Sequence, residues 1–236
     1  MAFECVSRTD VGLRRKVNED SLLVRTDRGL WAVADGMGGH EAGDVASAKV
    51  TESLLNLPVS YSLDDLVESA IAALKKVNRE LIALAGDDGK RTIGSTVAGL
   101  VIAGDQYRCF WAGDSRAYRL RGGEIVQLTR DHSLVQDLVK AGMLDPNEAE
   151  SHPNANVITR AVGVAEELRI DIASGDARSG DQFLLATDGL TRMVDDSELA
   201  AQLASSRPRE AAEKLVETVL ARGAPDNVSL IITKLI

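Results

Sequence analysis

The apolar positions along the chain follow two patterns. Residues 30–34 are apolar without alternation, which is typical of a strand that is covered on both faces. Elsewhere apolar residues recur every three or four positions, which is typical of amphipathic helices. Helices are predicted at 43–57, 62–84, 133–142, 195–204 and 208–222. Further strands are predicted at 2–9, 21–27, 95–103, 106–112, 116–121, 124–128, 167–173, 182–187 and 228–235.

The order of these elements indicates the fold class. Strands, paired helices, strands and again helices do not alternate as they do in βαβ proteins. Short turns such as Gly104-Asp105 and Gly122-Gly123 separate neighbouring strands and indicate antiparallel pairing. We therefore predict an α+β sandwich, in which antiparallel sheets pack together under a cover of helices. No linker divides the chain, so residues 1–236 are expected to form one domain.

The composition narrows the range of functions. The net charge is −9 and 27% of the residues are charged, which disfavours nucleic-acid binding through a basic face and suits hard metal ions. Cys5 and Cys109 have the spacing of neither a disulfide framework nor a cysteine-rich metal site. Charged residues stand where a signal peptide needs an apolar core, and runs such as 97–103 are too short to span a bilayer. We expect a cytoplasmic protein without membrane insertion.

The stretch after residue 34 is the first candidate for chemistry. Asp35 ends the apolar run and is followed by Gly36, Gly38 and Gly39. Glycines can adopt positive φ or leave room for an ion, so a carboxylate and backbone carbonyls can converge on a hard cation. The alternative is a glycine-rich turn in which Asp35 caps the helix that starts near Ala42. Both interpretations are open at this point.

Four aspartates share one property. Each lies beside Gly or Asn at the end or start of an apolar strand, where the edges of antiparallel strands can meet; they are Asp35, Asp114, Asp188 and Asp226. Four converging carboxylates would repel one another unless divalent cations were bound. Oxygen ligands select Mg²⁺ or Mn²⁺, and two such ions can activate a bridging water and clamp phosphoryl oxygens. That chemistry is hydrolysis of a phosphate ester. For each aspartate alone, a turn or helix cap is the alternative.

A charged connection precedes the glycine stretch. Arg14, Arg15 and Lys16 are followed by Glu19 and Asp20. Such a run is usually a solvated basic cluster paired with acids. The functional alternative is an arginine that binds phosphate through two hydrogen bonds while a carboxylate orients water.

Other phosphatase and hydrolase signatures are missing from the sequence. Neither cysteine has an arginine six positions later, and there is no Asp-x-Asp triplet and no Walker A sequence. His40 and Glu41 lack the second histidine of a zinc protease. Water activated by metal ions is the chemistry that remains.

Seven motifs in this order resemble one family. They lie at 12–21, 34–40, 94–96, 112–116, 128–133, 187–190 and 226–229. The chain resembles the metal-dependent serine/threonine protein phosphatases of type 2C, the PPM family, in their compact bacterial form, over essentially its whole length. The resemblance implies a four-layer αββα sandwich, two antiparallel sheets flanked by helix pairs, with Mn²⁺ or Mg²⁺ bound between the sheets.

The resemblance also implies roles for single residues. Asp35 should bridge two ions, the carbonyl of Gly36 should bind one of them, and Asp188 and Asp226 should bind the other. Asp114 should hold a third ion together with Asp188.

The resemblance also implies roles for residues in the charged connection. Arg15 matches the phosphate-binding arginine, Asp20 matches the acid that reaches a metal ion through water, and Glu19 is a neighbour behind them. Animal members have a histidine, a proposed general acid, where this chain has Met37. The donor of the leaving-group proton therefore has no assignment, and His40 is the nearest candidate.

The remaining histidines are expected outside the chemistry. His132 is expected to be structural, with Asp131 or Ser133 capping the helix that follows. His152 lies in residues 133–164, which match the mobile segment that shapes substrate access in the family and are called the flap below.

The expected function is hydrolysis of phosphoserine and phosphothreonine in proteins by a monomer that opposes a Ser/Thr kinase. A catalytically silent phosphatase-like binding module is the alternative. It is disfavoured because the aspartates and Arg15 are all present. A phosphodiesterase or nuclease is disfavoured by the acidic composition.

Overall fold

The computed structural model describes residues 2–38, 42–59, 62–86, 91–149 and 152–236. The strands are β1 Phe3–Asp10, β2 Asp20–Arg25, β3 Leu30–Met37, β4 Gly94–Ser95, β5 Val97–Ala103, β6 Gln106–Ala112, β7 Arg116–Arg121, β8 Glu124–Gln127, β9 Asp171–Asp176, β10 Gln182–Ala186 and β11 Val228–Leu235. The helices are α1 Gly43–Leu55, α2 Leu63–Ala85, α3 Leu134–Lys140, α4 Asp188–Thr191, α5 Asp196–Ser205 and α6 Pro208–Ala221.

The strands form two antiparallel sheets. In the first sheet the order is β1-β11-β10-β7-β8, and in the second it is β2-β3-β5-β6-β9, with the short β4 paired to β3. Neighbours in both sheets run antiparallel. The predicted α+β class is therefore confirmed.

Three apolar layers hold the sandwich together. In the strand β3, Leu30 and Ala32 pack with α1 and α2, whereas Trp31 and Val33 pack between the two sheets. The outer face of the first sheet packs against α4, α5 and α6. Both sheets are thus covered on both faces, which explains why residues 30–34 do not alternate. Each fully buried Leu or Ile in these layers contributes about 1.5–3 kcal/mol.

The helices start as their sequences predict. Ser62 is the N-cap of α2 and accepts a hydrogen bond of 3.0 Å from the backbone of Asp65. Pro208 opens α6, where its missing N–H costs nothing. Among the described helices, none combines the length and apolar character needed to cross a membrane. Cys5 and Cys109 are both free thiols.

Several boundaries differ from the prediction. The strand expected to end before Asp35 continues to Met37, because Gly36 and Met37 pair with β4, a segment about sixty residues later. The strand predicted at 167–173 is found at Asp171–Asp176 as β9. The single helical turn α4 was not predicted because four residues show no periodicity.

The C-terminal end of the flap is joined to the core. Isolated bridges pair Ser133 with Ile158 inside the flap and Ser95 with Val162 at its end. The buried Asn78 of α2 accepts a hydrogen bond of 2.6 Å from the backbone of Gly163 and donates one of 2.8 Å to the carbonyl of Ala165. These contacts fix the end of the flap on α2.

Candidate metal centre

The predicted acidic residues come from both sheets. Asp20 and Asp35 are directly paired on β2 and β3 of the second sheet. Asp188 begins α4 immediately after β10, and Asp226 lies just before β11 in the first sheet. Asp114 lies in the turn between β6 and β7. The structure therefore brings together the aspartates that the sequence singled out.

Asp35 is fixed through its backbone by Thr96. The Asp35 N–H donates to Thr96 Oγ1 at 2.9 Å, and the Thr96 N–H donates to the Asp35 carbonyl at 2.8 Å. Thr96 Oγ1 also lies 2.7 Å from the hydroxyl of Ser115, the neighbour of Asp114. One buried threonine thus positions two of the acidic residues.

Asp20 connects the two sheets. Thr187, the residue after β10, donates its hydroxyl to Asp20 Oδ2 at 2.9 Å. Asn18 Oδ1 accepts the Asp20 N–H at 3.1 Å and fixes the start of β2. Burial, followed by the charges of Asp188 and Asp226, raises the pKa of Asp20 to about 7.

Asp114 and Asp188 share one arginine. Arg192 Nη2 lies 3.1 Å from Asp114 Oδ2 and 2.9 Å from Asp188 Oδ2. Burial is the largest cause that raises the pKa of both carboxyl groups, to about 7 for Asp114, and Arg192 opposes this effect. Arg192 had no predicted role.

Asp226 is paired with the predicted phosphate-binding residue. Arg15 Nη2 donates to Asp226 Oδ2 at 2.8 Å, and the Arg15 side chain is 49% exposed. Asn227 holds the connection that carries Arg15: its Nδ2 donates to the carbonyls of Val11 and Val17 at 2.9 and 3.1 Å, and its Oδ1 accepts the Glu19 N–H at 2.8 Å. Arg15 therefore lies on a loop that is held in place by hydrogen bonds from the Asn227 side chain.

Of the two expected uses of these glycines, close approach is found at Gly36 and positive φ is not found at Gly36 or Gly38, while Gly39 lies outside the described residues. A Cβ on Gly36 would meet the carbonyl of Gly43, so this glycine is required for close approach of the first turn of α1. The Glu19 carboxylate accepts a hydrogen bond from the Gly43 backbone, and Asp44 lies in the first turn, so the acids at this helix start are Glu19 and Asp44 and not Asp35.

The acidic cluster carries an electrostatic cost. The pKa of Asp35 lies well above its ordinary value, first because the carboxyl is buried and then because of four neighbouring charges, those of Asp188, Asp20, Asp114 and Asp226. Cations inside the cluster would remove this cost.

The side chains fit divalent cations by their chemistry. Three carboxylate oxygens are buried without a hydrogen-bond partner, namely Oδ1 of Asp20, Asp114 and Asp188. Such unsatisfied oxygens are what a hard ion such as Mn²⁺ or Mg²⁺ requires. Within the described ranges no three acidic, imidazole or thiol groups are already spaced as one ligand set. Arg15 and Arg192 contact Oδ2 atoms of Asp226, Asp114 and Asp188, so an ion bound by these carboxylates would lie close to a guanidinium group.

Both nitrogens of His132 are engaged. Nδ1 accepts the Gly113 N–H at 3.1 Å, and Nε2 lies 3.1 Å from Asp171 Oδ2. Ser133 is the N-cap of α3, as predicted. Met37 pairs with Gly94 on β4. His40, the candidate proton donor, lies outside the described residues.

A cavity of about 140 Å³ lies between the acidic cluster and the flap. Asp114, Asp188 and Arg192 line it on one side, and Ala155 and Asn156 of the flap line it on the other. The flap therefore forms one wall of a cavity that adjoins the acidic cluster.

Comparison with known proteins identifies the family. A sequence profile of protein phosphatase 2C matches residues 13–223. The serine/threonine protein phosphatase PstP of Mycobacterium tuberculosis is 37% identical over 237 residues, which are 100% of this chain and 46% of PstP. The chain thus spans less than half the length of that relative.

Solved structures agree with this result. PppA, described as a key regulatory component of T6SS in Pseudomonas aeruginosa, has a TM-score of 0.93 at 43% identity, covering 100% of this chain and 99% of that chain. The catalytic domain of PstP in complex with two manganese ions has a TM-score of 0.87 at 34% identity, covering 98% and 97%.

The chain belongs to the protein phosphatase 2C family. Membership confirms the family and the αββα architecture predicted from the motifs.

Sequence reasoning missed four residues that organise the site: Thr96, Thr187, Arg192 and Asn227. Thr96, Thr187 and Asn227 lie inside the motifs that carry the family resemblance, but none of them had a predicted role. Their hydroxyl and amide groups act on backbone atoms and carboxylates from distant segments, and the sequence contains no local signal of such contacts.

Proposed function

We propose that the chain is a catalytic domain that hydrolyses phosphoserine and phosphothreonine in proteins with Mn²⁺ or Mg²⁺. One observation supports this most strongly: buried carboxylates from both sheets converge beside an exposed arginine, and three of their oxygens lack partners. A cluster of this composition binds hard cations and presents a phosphate to them.

The proposed ligand roles rest on the family motifs. Asp35, the Gly36 carbonyl, Asp188 and Asp226 would hold two ions, with Asp35 shared between them. When bound, the ions supply an activated water and neutralise charge on the phosphoryl oxygens. Asp20 accepts from Thr187 and can orient a water beside the cluster. A third ion at Asp114 and Asp188 belongs to the same proposal.

Arg15 is proposed to bind the substrate phosphate. Its Nη2 is engaged with Asp226, and a guanidinium carries five donors, so further N–H groups can reach phosphate oxygens from the exposed side. This contact would place the phosphorus near the acidic cluster. His132 is not the proton donor in this proposal, because Gly113 and Asp171 hold its ring.

The wider setting is proposed on the same basis. The domain works as a cytoplasmic monomer, residues 133–164 form its flap, and its phosphoprotein substrates are made by a Ser/Thr kinase. The flap cavity beside Asp114 supports a role in substrate access.

The experiment measures hydrolysis of an aryl phosphate and of a phosphothreonine peptide with Mn²⁺ and with chelator. Chelator should abolish both activities, and Asp35→Asn should lower kcat/KM by about 10²-fold or more. Asp27→Asn is the matched control, because Asp27 is exposed and paired only with Arg25 in the described contacts. Full activity in chelator would overturn the proposal, and phosphopeptide binding without turnover would favour the silent module.

A further inference from the structure

Arg192 contacts three side chains at once. Its Nη2 reaches Asp114 Oδ2 at 3.1 Å and Asp188 Oδ2 at 2.9 Å, and its Nη1 donates to Asn156 Oδ1. Asn156 belongs to the flap. A single side chain therefore joins two proposed ion ligands to the segment that covers the cavity.

Arg192 alone does not balance the negative charge of Asp114 and Asp188. Two carboxylates face one guanidinium, and Oδ1 of Asp114 and Oδ1 of Asp188 are buried without hydrogen-bond partners. A buried carboxylate with an unsatisfied oxygen is costly. The pair Asp114 and Asp188 is thus able to accept more positive charge than Arg192 delivers.

A second arginine in the same cavity shows the contrast. Arg116 binds Asp131 through Nε at 3.0 Å and through Nη2 at 2.7 Å, and Gln127 donates to Asp131 Oδ1 at 3.2 Å. Both oxygens of Asp131 are satisfied, as a structural ion pair requires. Arg192 instead divides one nitrogen between two acids.

The Arg192 side chain is also accessible to solvent. It is 36% exposed, whereas the Asp114 side chain is 5% exposed. The guanidinium can therefore move into solvent while the carboxylates stay in place.

We propose that Arg192 is a tethered cation that competes with a divalent ion for Asp114 and Asp188, and that its contact with Asn156 couples this competition to the flap. A divalent ion bound by these carboxylates, through the unsatisfied Oδ1 atoms or through the Oδ2 atoms, would lie within a few ångströms of the guanidinium, and two cations so close to each other repel. Ion entry displaces Arg192 and breaks the contact with Asn156. The inference rests on the proposed metal-dependent function and adds an internal competitor at one ion position.

The first experiment titrates metal-free wild type and Arg192→Gln with Mn²⁺ by calorimetry. The weakest Mn²⁺ site should tighten by about tenfold in Arg192→Gln, a typical size for coupled sites. Arg8→Gln is the matched control, since Arg8 is 33% exposed and pairs with Glu213, away from Asp114 and Asp188. Arg192→Lys keeps a positive charge and should retain the wild-type affinity, whereas tightening equal to that of Arg192→Gln overturns competition by charge.

A double-mutant cycle tests whether the effect passes through Asp114. Asp114→Asn removes one ligand of the contested site, so in this background Arg192→Gln should change the affinity of any remaining Mn²⁺ site by less than about twofold. Equal tightening in both backgrounds means that Arg192 acts elsewhere, and it overturns the competition.

Hydrogen exchange tests the coupling to the flap without any activity measurement. In wild type, Mn²⁺ should speed amide exchange at residues 154–157, and in Arg192→Gln exchange should be fast already and insensitive to Mn²⁺. Unchanged exchange in wild type overturns the coupling. Identical Mn²⁺ affinities in wild type and Arg192→Gln overturn this inference alone, whereas absence of Mn²⁺ binding in all variants overturns the proposed function as well.

Discussion

Asp20 and Asp35 lie opposite each other across the β2–β3 pair, so two carboxylates occupy opposed positions in one sheet. Directly opposed like charges destabilise a sheet. Burial adds a larger penalty, which raises the pKa of Asp20 to about 7 and places the pKa of Asp35 well above its ordinary value. Without cations, this part of the fold therefore works against stability.

The metal-free protein should lose stability through these carboxyls as the pH rises from about 4 to about 7. An unfolded aspartate loses its proton at about pH 4. Folded Asp20 keeps its proton up to about pH 7, because its pKa is raised to about 7. In this window the folded state binds more protons than the unfolded state, so the free energy of unfolding falls with rising pH. Urea denaturation in chelator measures the slope.

Asp20→Asn isolates this contribution. The variant lacks the titrating group and should exceed metal-free wild type by about 1–3 kcal/mol at about pH 8, with the difference closing as the pH falls to about 4. Asp27→Asn, a change at an exposed position, should follow wild type. Parallel pH profiles for wild type and Asp20→Asn would contradict the prediction.

Added Mn²⁺ should stabilise the protein more at high pH than at low pH. The ion and the proton compete for the same carboxylates, so fewer protons must leave when the pH is high. At 100 times its Kd, one ion adds about 2.7 kcal/mol to the free energy of unfolding. Thermal unfolding with and without Mn²⁺ at about pH 6 and about pH 8 gives the two shifts in Tm, and equal shifts would rule out this competition.

Thr96→Val should destabilise the protein by about 1–3 kcal/mol. The substitution keeps the shape but leaves the Asp35 N–H and the Ser115 hydroxyl without their partner. Activity should fall as well, because both neighbouring acidic residues lose a fixed position. Thr96→Ser keeps the hydroxyl and should stay closer to wild type in both measurements; similar losses in the two variants would show that the methyl group and not the hydroxyl matters.

Asn227→Ala should release the loop that carries Arg15. The buried amide of Asn227 binds three backbone groups between Val11 and Glu19, so hydrogen exchange should rise at 11–19. The KM for a phosphothreonine peptide should rise about tenfold, because small misplacement of a binding group is costly. Asn56→Ala at the exposed end of α1 is the control and should change neither quantity. Unaltered KM together with faster exchange would remove Arg15 from the binding step.

Local patterns predicted most of the fold because the spacing of apolar residues in a strand depends on whether one or both of its faces are buried. Leu30 to Ala34 lack alternation since one set packs on the helices and the other between the sheets. The end of β3 was wrong because its continuation depends on pairing with β4, far along the chain. Long-range pairing leaves no trace in local periodicity.

The convergence of the aspartates was predictable because their residue type and their positions at strand ends are visible in the sequence. Aspartates beside glycines at strand ends indicated a metal site, and the structure gathers them. Arg192 was not predictable, since an arginine at the end of a short helical turn usually indicates a solvated charge. Its role becomes visible only when Asp114 and Asn156, both distant in sequence, meet it in the fold.

The hydrogen bond from Thr187 to Asp20 joins the two sheets at the acidic cluster. Away from this point the layer between the sheets is largely apolar, with Trp31 and Phe183 fully buried in it. The volume of those side chains sets the distance between the sheets, and that distance sets how far apart the acids of the two sheets lie. The thickness of a remote apolar layer therefore controls the width of the acidic cleft, and an exchange of one core residue can alter ion affinity without touching a ligand.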